Sequence, residues 1–282
     1  CSAPVLAAFL ERDIPVVLLN DINQVSGIWQ PAPKPHGNWR LLQYQKTLEE
    51  DFVLWQCGRT VAAKIYNQRR VLQRMAANRK LDLAQNLEWF QGILAAVARC
   101  TGLEELRGYE GAAAAHYFEL WGHFLPPEFP FVRRSTRPPK NEVNACVSFG
   151  ATLLYTETVA LLHARGLDPA LGLLHTTEDD RWSLALDMME PFRPVLVEAL
   201  VLDLFTHKML NHRHFENRDG GVFLNQEGRA IFMLQYEKRM GRQFLSEHYK
   251  HRTTLRDALD HQITGFKSAL EQPDNCNPFM MN

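Results

Sequence analysis

Long apolar runs are missing from this chain: no stretch approaches about eighteen consecutive apolar residues, the length a bilayer-crossing helix needs. No basic segment followed by an apolar core reads as a secretory signal. Cysteine is scarce and scattered. Cys1, Cys57, Cys100, Cys146 and Cys276 include no C-x-x-C pair, which leaves zinc-finger geometry unsupported and points to a reducing, cytoplasmic setting. Charge of one sign is lacking too, since the formal net charge is −1 over 282 residues. Any nucleic-acid partner must therefore be met by local clusters of cations. A G-x-x-x-x-G-K-[ST] phosphate loop, a G-x-S-x-G elbow and a Cys–His signature are all absent, which removes support for NTPase and acyl-transfer chemistry. What remains is ordinary globular material, 46% hydrophobic and 22% charged, enough for a sizeable core in one large domain or two smaller ones.

Along the chain, residues 3 to 11 read as a short helix and Ile14 to Leu19 as a buried, β-branched strand. The segment "DINQVSGIWQPAPKPHGN" gathers Gly, Pro and Asn and reads as a loop or linker. From Trp39 the character turns helical. Residues 41 to 76 are predicted as one helix, with Leu48, Phe52, Trp55, Val71 and Leu72 at helical spacing. Further helices are predicted at 80 to 100, 103 to 124, 141 to 165, Ser183 to about Lys208, 226 to 240 and 247 to 270, with a short strand at 220 to 225. The fold class is mainly α, with a β-rich remnant at the start. The chain opens on Cys1 in what reads as the middle of a fold, so a longer polypeptide with a preceding N-terminal part is expected.

Three stretches carry candidate chemistry. In "RGYEGAAAAHYF", Glu110 heads a run of alanines, which bury little apolar area and often mark a close approach to the backbone. Glu110 is either a solvated charge or half of a site. In "LLHTTEDDRWSLALDMMEPFRP", Asp187 and Glu190 are three apart, so a continuous helix would project both carboxylates from one face. Their neighbours Leu184, Leu186, Met188, Met189 and Phe192 are apolar, and charges in such a setting need partners or a metal. His175 lies just upstream. An imidazole with two or three carboxylates suits Mn²⁺ or Mg²⁺. The competing reading pairs Asp187 and Glu190 with Arg181 and Arg193 as structural ion pairs. In "FVRRSTRPPK", Arg133, Arg134, Arg137 and Lys140 either grip phosphates or form a solvated loop. The stretch "THKMLNHRHFENR" lacks a convincing tetrahedral pattern and reads as a mildly basic surface.

Taken in order, "RGYEGAAAAHYF", "RSTRPPKNEVNACVSFGATLLY" and "LGLLHTTEDDRWSLALDMMEPFRPVLVEALVLDLF" resemble the CRISPR-associated Cas-one family, the integrase of spacer acquisition. Even "RDIPVVLLNDINQVSGIW" followed by "NWRLLQYQ" looks like the end of that family's N-terminal β-domain and its linker. The resemblance implies a remnant of the β-rich domain over 1–38 and a helical, metal-binding catalytic domain over 39–282. It implies that Glu110, His175 and Glu190 bind Mg²⁺ or Mn²⁺ and are the catalytic set. Asp187 matches a supporting acid that in some members shares the role. It further implies an endonuclease and integrase acting on DNA: the 3′-hydroxyl of a prespacer duplex attacks a phosphodiester at a CRISPR repeat. The basic loop would hold the DNA backbone, and with the alanine run, neighbouring helices would come close enough to converge on one ion. The implied partners are a homodimer mate, a dimer of the small Cas-two protein and, in fused members, a reverse transcriptase. This chain departs from the family at Asn141-Glu142, where an acid is usual, and in lacking most of the β-domain. A hydrolytic nuclease and a non-catalytic DNA scaffold stand as alternatives.

Overall fold

The structure, a computed structural model, describes residues 2–12, 14, 16–19, 25–29 and 36–282. Helix α1 (Ala3–Leu10) leads into strands β1 (Val16–Leu19) and β2 (Val25–Trp29), an antiparallel pair that sets Val16 opposite Trp29. Helices α2 (Gly37–Lys46), α3 (Glu50–Arg79), α4 (Ala84–Val97), α5 (Leu103–Gly122) and α6 (Glu142–Ala164) follow. After α7 (Ser183–Met189) the backbone passes through a π-helix, Arg193–Glu198, into α8 (Ala199–Thr206). A hairpin of β3 (Phe215–Arg218) and β4 (Gly221–Leu224) precedes α9 (Gln226–Gly241). The chain then forms the short pair β5 (Phe244–Leu245) and β6 (Arg252–Thr253) before α10 (Leu255–Ala269). Helix makes up 62% of the structure, which agrees with the mainly α expectation.

The chain divides into two compact units. One comprises 1–57, 152–189 and 259–277; the other comprises 58–151, 190–258 and 278–282. In the first, Gln43 is fully buried and locks onto the turn after α6. Its Nε2 donates to the Asp168 carbonyl at 2.9 Å, and its Oε1 accepts from the Asp168 amide at 2.8 Å. In the second, Val61, Ile65, Leu72, Phe90, Leu106, Tyr117 and Trp121 form a buried core. Helix α6 holds an eighteen-residue window of mean hydropathy 1.5, long and apolar enough to cross a membrane by length and composition alone. In the fold, 61% of that window is buried, as in a core helix.

Four expectations about the elements are corrected. Strand β2 lies inside the segment read as a loop, because Val25-Ser26-Gly27-Ile28-Trp29 finds a partner in β1 that local composition does not reveal. The helix expected over 41 to 76 is broken at Thr47–Glu49, where the Thr47 hydroxyl caps the Tyr44 carbonyl. Leu48, read at helical spacing with Phe52 and Trp55, is 84% exposed at that break. The helix expected from Ser183 to Lys208 stops at Met189. Pro191 and Pro194 cannot donate backbone hydrogen bonds, and the chain re-forms only through the π-helix. The last helix begins at Leu255, since 244 to 253 pair as β5 and β6.

Gly150 is a point of close approach to α6 within the second unit. A Cβ there would stand 2.8 Å from the Phe232 ring and 2.9 Å from Val197 Cγ1, whereas at Gly92 in α4 it would meet nothing within 4 Å. The pair makes a signed test. Gly150→Ala is expected to destabilise by about 1–3 kcal/mol through overpacking. Gly92→Ala is expected to stabilise by about 0.5–1 kcal/mol through helix propensity. Urea unfolding of the two variants checks both signs.

Candidate functional site

The second unit contains a buried line of alternating charges. Lys64 lies on the face of α3 that also carries Val61, Gln68 and Leu72, all buried. Its ammonium forms ion pairs with Glu110 Oε1 from α5 and with Glu190 Oε2, just beyond α7. Glu190 is 2% exposed, while the Glu110 side chain keeps 25% of its surface. The other oxygen of Glu190, Oε1, accepts from Arg193 Nη1 at 2.9 Å, and Arg193 Nε stands 3.9 Å from Glu198.

The protonation energetics follow from this order. Burial pulls the Lys64 ammonium down, but Glu190 and Glu110 outweigh it, so its pKa is raised and the charge is kept. Glu190 chiefly raises Arg193, against burial. For Glu198 burial wins over the Arg193 and Lys64 charges, and its pKa is raised. Tyr117, fully buried beside Glu198, is pushed well above the ordinary phenol value by burial and then by that carboxylate.

In the first unit, Asp187 is 2% exposed and gathers the residues 173 to 175 around its carboxylate. Oδ2 accepts the amides of Leu173 at 2.6 Å and Leu174 at 3.1 Å; Oδ1 accepts the His175 amide at 3.0 Å and faces His175 Nδ1 at 2.6 Å. A carboxylate oxygen only accepts, so Nδ1 carries a proton and, in the neutral ring, Nε2 keeps its lone pair. Asp187 thus sets both the backbone turn and the imidazole tautomer.

The ion-pair expectation holds for Arg193 with Glu190. Arg181 instead pairs with Glu178 at 2.8 Å and donates to the Thr176 carbonyl. Asp187 and Glu190 do not act as one helical face, because α7 ends between them. The alanine run fails as a close-contact device: a Cβ at Gly108 or Gly111 would meet nothing within 4 Å, and of the four alanines only Ala113 is buried. That open flank lies beside Glu110. Among the described residues no three His, Cys, Asp or Glu side chains stand together as a metal cage. The two carboxylates meet at a lysine instead, so a cation already occupies the point their oxygens share. Hard oxygen donors converging on a cation fit a hard divalent ion.

The basic loop splits in two. Arg133, Arg137 and Lys140 are exposed, and Lys140 Nζ donates to the Gly220 carbonyl at 3.0 Å. Arg134 turns inward. It donates to Asn144 Oδ1 at 2.6 Å, lies 5.9 Å over the Phe118 ring, and is lowered to about 10 by burial and by Arg193. Buried Asn144 also bonds the Ser135 amide and the Arg133 carbonyl, which pins the loop. Of the histidine-rich stretch, His212 pairs with Glu142 at 2.8 Å and buried His214 accepts the Asn211 amide at 3.0 Å.

Sequence reasoning missed Lys64 and Glu198. The available signal was a lysine inside the helix-forming run "TVAAKIYNQ" of α3, and a glutamate inside "PVLVEALVL".

The fold and these residues define a mainly helical protein with a buried acid–base–acid cluster. Residues 1–238 match the family model described as CRISPR associated protein Cas1. A protein of Leptospira interrogans named CRISPR-associated endonuclease Cas1 is 34% identical over 209 residues, 71% of this chain and 82% of that one. A CAS1 protein structure from Thermotoga maritima superposes with TM-score 0.80 at 26% identity, over 96% of this chain and 82% of its own. A structure titled Cas6-RT-Cas1–Cas2 complex matches with TM-score 0.82 at 27% identity, over 99% of this chain and 31% of that longer one. The chain belongs to the Cas1 family.

Glu198 offers a pH test. Its folded pKa lies above the ordinary 4.5, so the folded state holds the proton more tightly than the unfolded one. The corresponding stability is full below the unfolded value and is lost as pH rises through the folded value. Glu198→Gln removes this dependence. The Tm of the variant minus that of wild type is expected to increase as pH is raised from below 4.5 towards neutrality, measured by calorimetry.

Proposed function

We propose that this chain is a divalent-metal-dependent DNA integrase of CRISPR adaptation. In this reading the 3′-hydroxyl of a prespacer attacks a phosphodiester at the border of a CRISPR repeat. The observation that carries it is the convergence of Glu110 and Glu190 on a single cation position in a chain of the Cas1 family. Glu110, Glu190 and His175 are the residues that would hold Mn²⁺ or Mg²⁺. When bound, the ion would polarise the scissile phosphodiester and stabilise charge on its oxygens.

The remaining work is done by positioning. Asp187 holds His175 by its amide and its Nδ1, which presents Nε2 as the donor; such outer partners usually matter nearly as much as the ligands. Arg193 fixes Glu190 from the side away from Lys64. Exposed Arg133 and Arg137, with Lys140, contact backbone phosphates and supply salt-dependent, sequence-tolerant binding. Arg134 pins the loop that carries them. The organisation proposed is a catalytic helical domain over 39–282 after a β-rich remnant over 1–38. Proposed assembly is as a homodimer with a small Cas2 dimer, since the matched complex contains Cas2; that complex also contains a reverse transcriptase, which makes one a candidate neighbour.

The name endonuclease carried by relatives favours a second reading in which water replaces the 3′-hydroxyl and DNA is cut without joining. The product separates the two.

Strand transfer of a labelled prespacer into a repeat-bearing plasmid, with Mn²⁺ and the Cas2 partner, is the direct test. Wild type is expected to join label at repeat borders. Chelator and His175→Ala are expected to abolish joining, and Asp187→Asn to slow it by roughly 10- to 100-fold with the fold intact. Cut but unjoined plasmid would establish the hydrolytic reading instead; unchanged joining by His175→Ala would remove His175 from the site. In DNA-binding titrations, Arg133→Ala and Arg137→Ala should each weaken affinity and lower the salt slope by about 1. Arg134→Ala should instead lower the unfolding temperature.

A further inference from the structure

The ion pairs of Lys64 raise a question about how a metal reaches Glu110 and Glu190 at all. Both oxygens of Glu190 already face a cation: Oε1 receives Arg193 at 2.9 Å and Oε2 receives Lys64. Glu110 Oε1 receives the same lysine. Lys64 is 6% exposed and stands on a face of α3 that carries buried Gln56, Thr60 and Gln68 as well as Val61 and Leu72, and its two carboxylate partners hold its head group in place.

We infer that Lys64 is the positioning residue of this site: a resident cation that holds the Glu110 and Glu190 oxygens together in the metal-free protein and must give them up when a divalent ion binds. The inference rests on the metal reading proposed above. The reasoning is electrostatic. Two carboxylates meeting in a largely buried place repel unless a positive charge stands between them, and removal of one partner from such a set leaves uncompensated charge. A lysine suits the task better than an arginine, because its compact point charge can sit at the shared position and its flexible stem can withdraw. An arginine held by a two-pronged contact would be harder to dislodge. The site is therefore pre-formed without metal, at the expense of affinity. A ligand that needs a state populated a fraction of the time binds more weakly by that fraction. If the ammonium leaves both oxygens about one time in ten, the apparent Kd is about tenfold above the intrinsic one.

Titration calorimetry with Mn²⁺ alone tests this on the purified full chain, comparing wild type, Lys64→Met and Lys64→Arg. Lys64→Met is expected to bind Mn²⁺ roughly tenfold more tightly, and to gain more in Tm on Mn²⁺ addition, from a lower metal-free starting point. Lys64→Arg, which keeps the cation, is expected to bind no more tightly than wild type. The Lys64→Met advantage should persist in about 1 M salt, where the Debye length falls to roughly 3 Å, because competition for the same oxygens does not depend on long-range attraction. An advantage that vanishes in salt would assign Lys64 a general field effect and overturn the inference. Equal or weaker Mn²⁺ binding by Lys64→Met, with wild type binding normally, would overturn it while leaving the metal reading standing. No Mn²⁺ binding by wild type or either variant would overturn both. Should Lys64→Met fold poorly, Lys64→Gln removes the charge and keeps a hydrogen-bond donor, and the same tighter binding is expected of it.

Discussion

The ammonium of Lys64 between Glu110 and Glu190 is the interaction on which the second unit's polar interior depends. Two helices and a turn supply its members: α3 the lysine, α5 one glutamate and the turn after α7 the other. Each group alone would be costly to bury. Together the ion pairs tie α5 to α3 within the second unit. Arg193 and Glu198 extend the same logic, and Tyr117 closes it against the core. Such chains are worth more complete than in parts, since the loss of any member leaves a neighbour unpaired in a low-dielectric place.

The break after Met189 decides what each acid does. Had α7 continued, Asp187 and Glu190 would share a face and compete for the same partners. Pro191 ends the helix, and its carbonyl is taken up at 2.7 Å by buried Asn67, which fixes the altered path. Asp187 is then free to collect the amides of Leu173, Leu174 and His175, while Glu190 goes to Lys64 and Arg193. Two carboxylates three residues apart thereby take different jobs, one organising a turn and an imidazole, the other holding cations.

How much of this could be read from the chain depends on whether the signal was local. Glu110, His175, Asp187 and Glu190 stood out because charged or ligating side chains in an apolar or alanine-rich context are uncommon, and because three such segments in order carry a family pattern. Lys64 did not, since a single lysine on a helix is nearly always solvent-facing and its burial is decided by partners 46 and more residues away. Arg134 was indistinguishable from Arg133 and Arg137 in a basic run; only Asn144, folded under the loop, separates them. Strand β2 and the pair β5 and β6 were hidden for the same reason, as short strands acquire their identity from pairing. The helix breaks at Thr47 and Pro191 were local events, and Pro191 in particular was visible in principle.

In the reading proposed above, the carboxylates that would hold a divalent ion are also the carboxylates of the second unit's internal ion pairs. Carboxylates selected to bind a hard cation must be concentrated, oriented and partly dehydrated, and that same arrangement is unstable when empty of positive charge. A protein can meet this by leaving the site open to water, by letting the ligands disperse until the ion arrives, or by lending them a cation of its own. Glu190 is buried, the Glu110 side chain keeps 25% of its surface, and the Lys64 ion pairs gather the two carboxylates, which corresponds to the third arrangement. In the proposed reading, the third solution keeps the geometry in advance and places its cost in metal affinity.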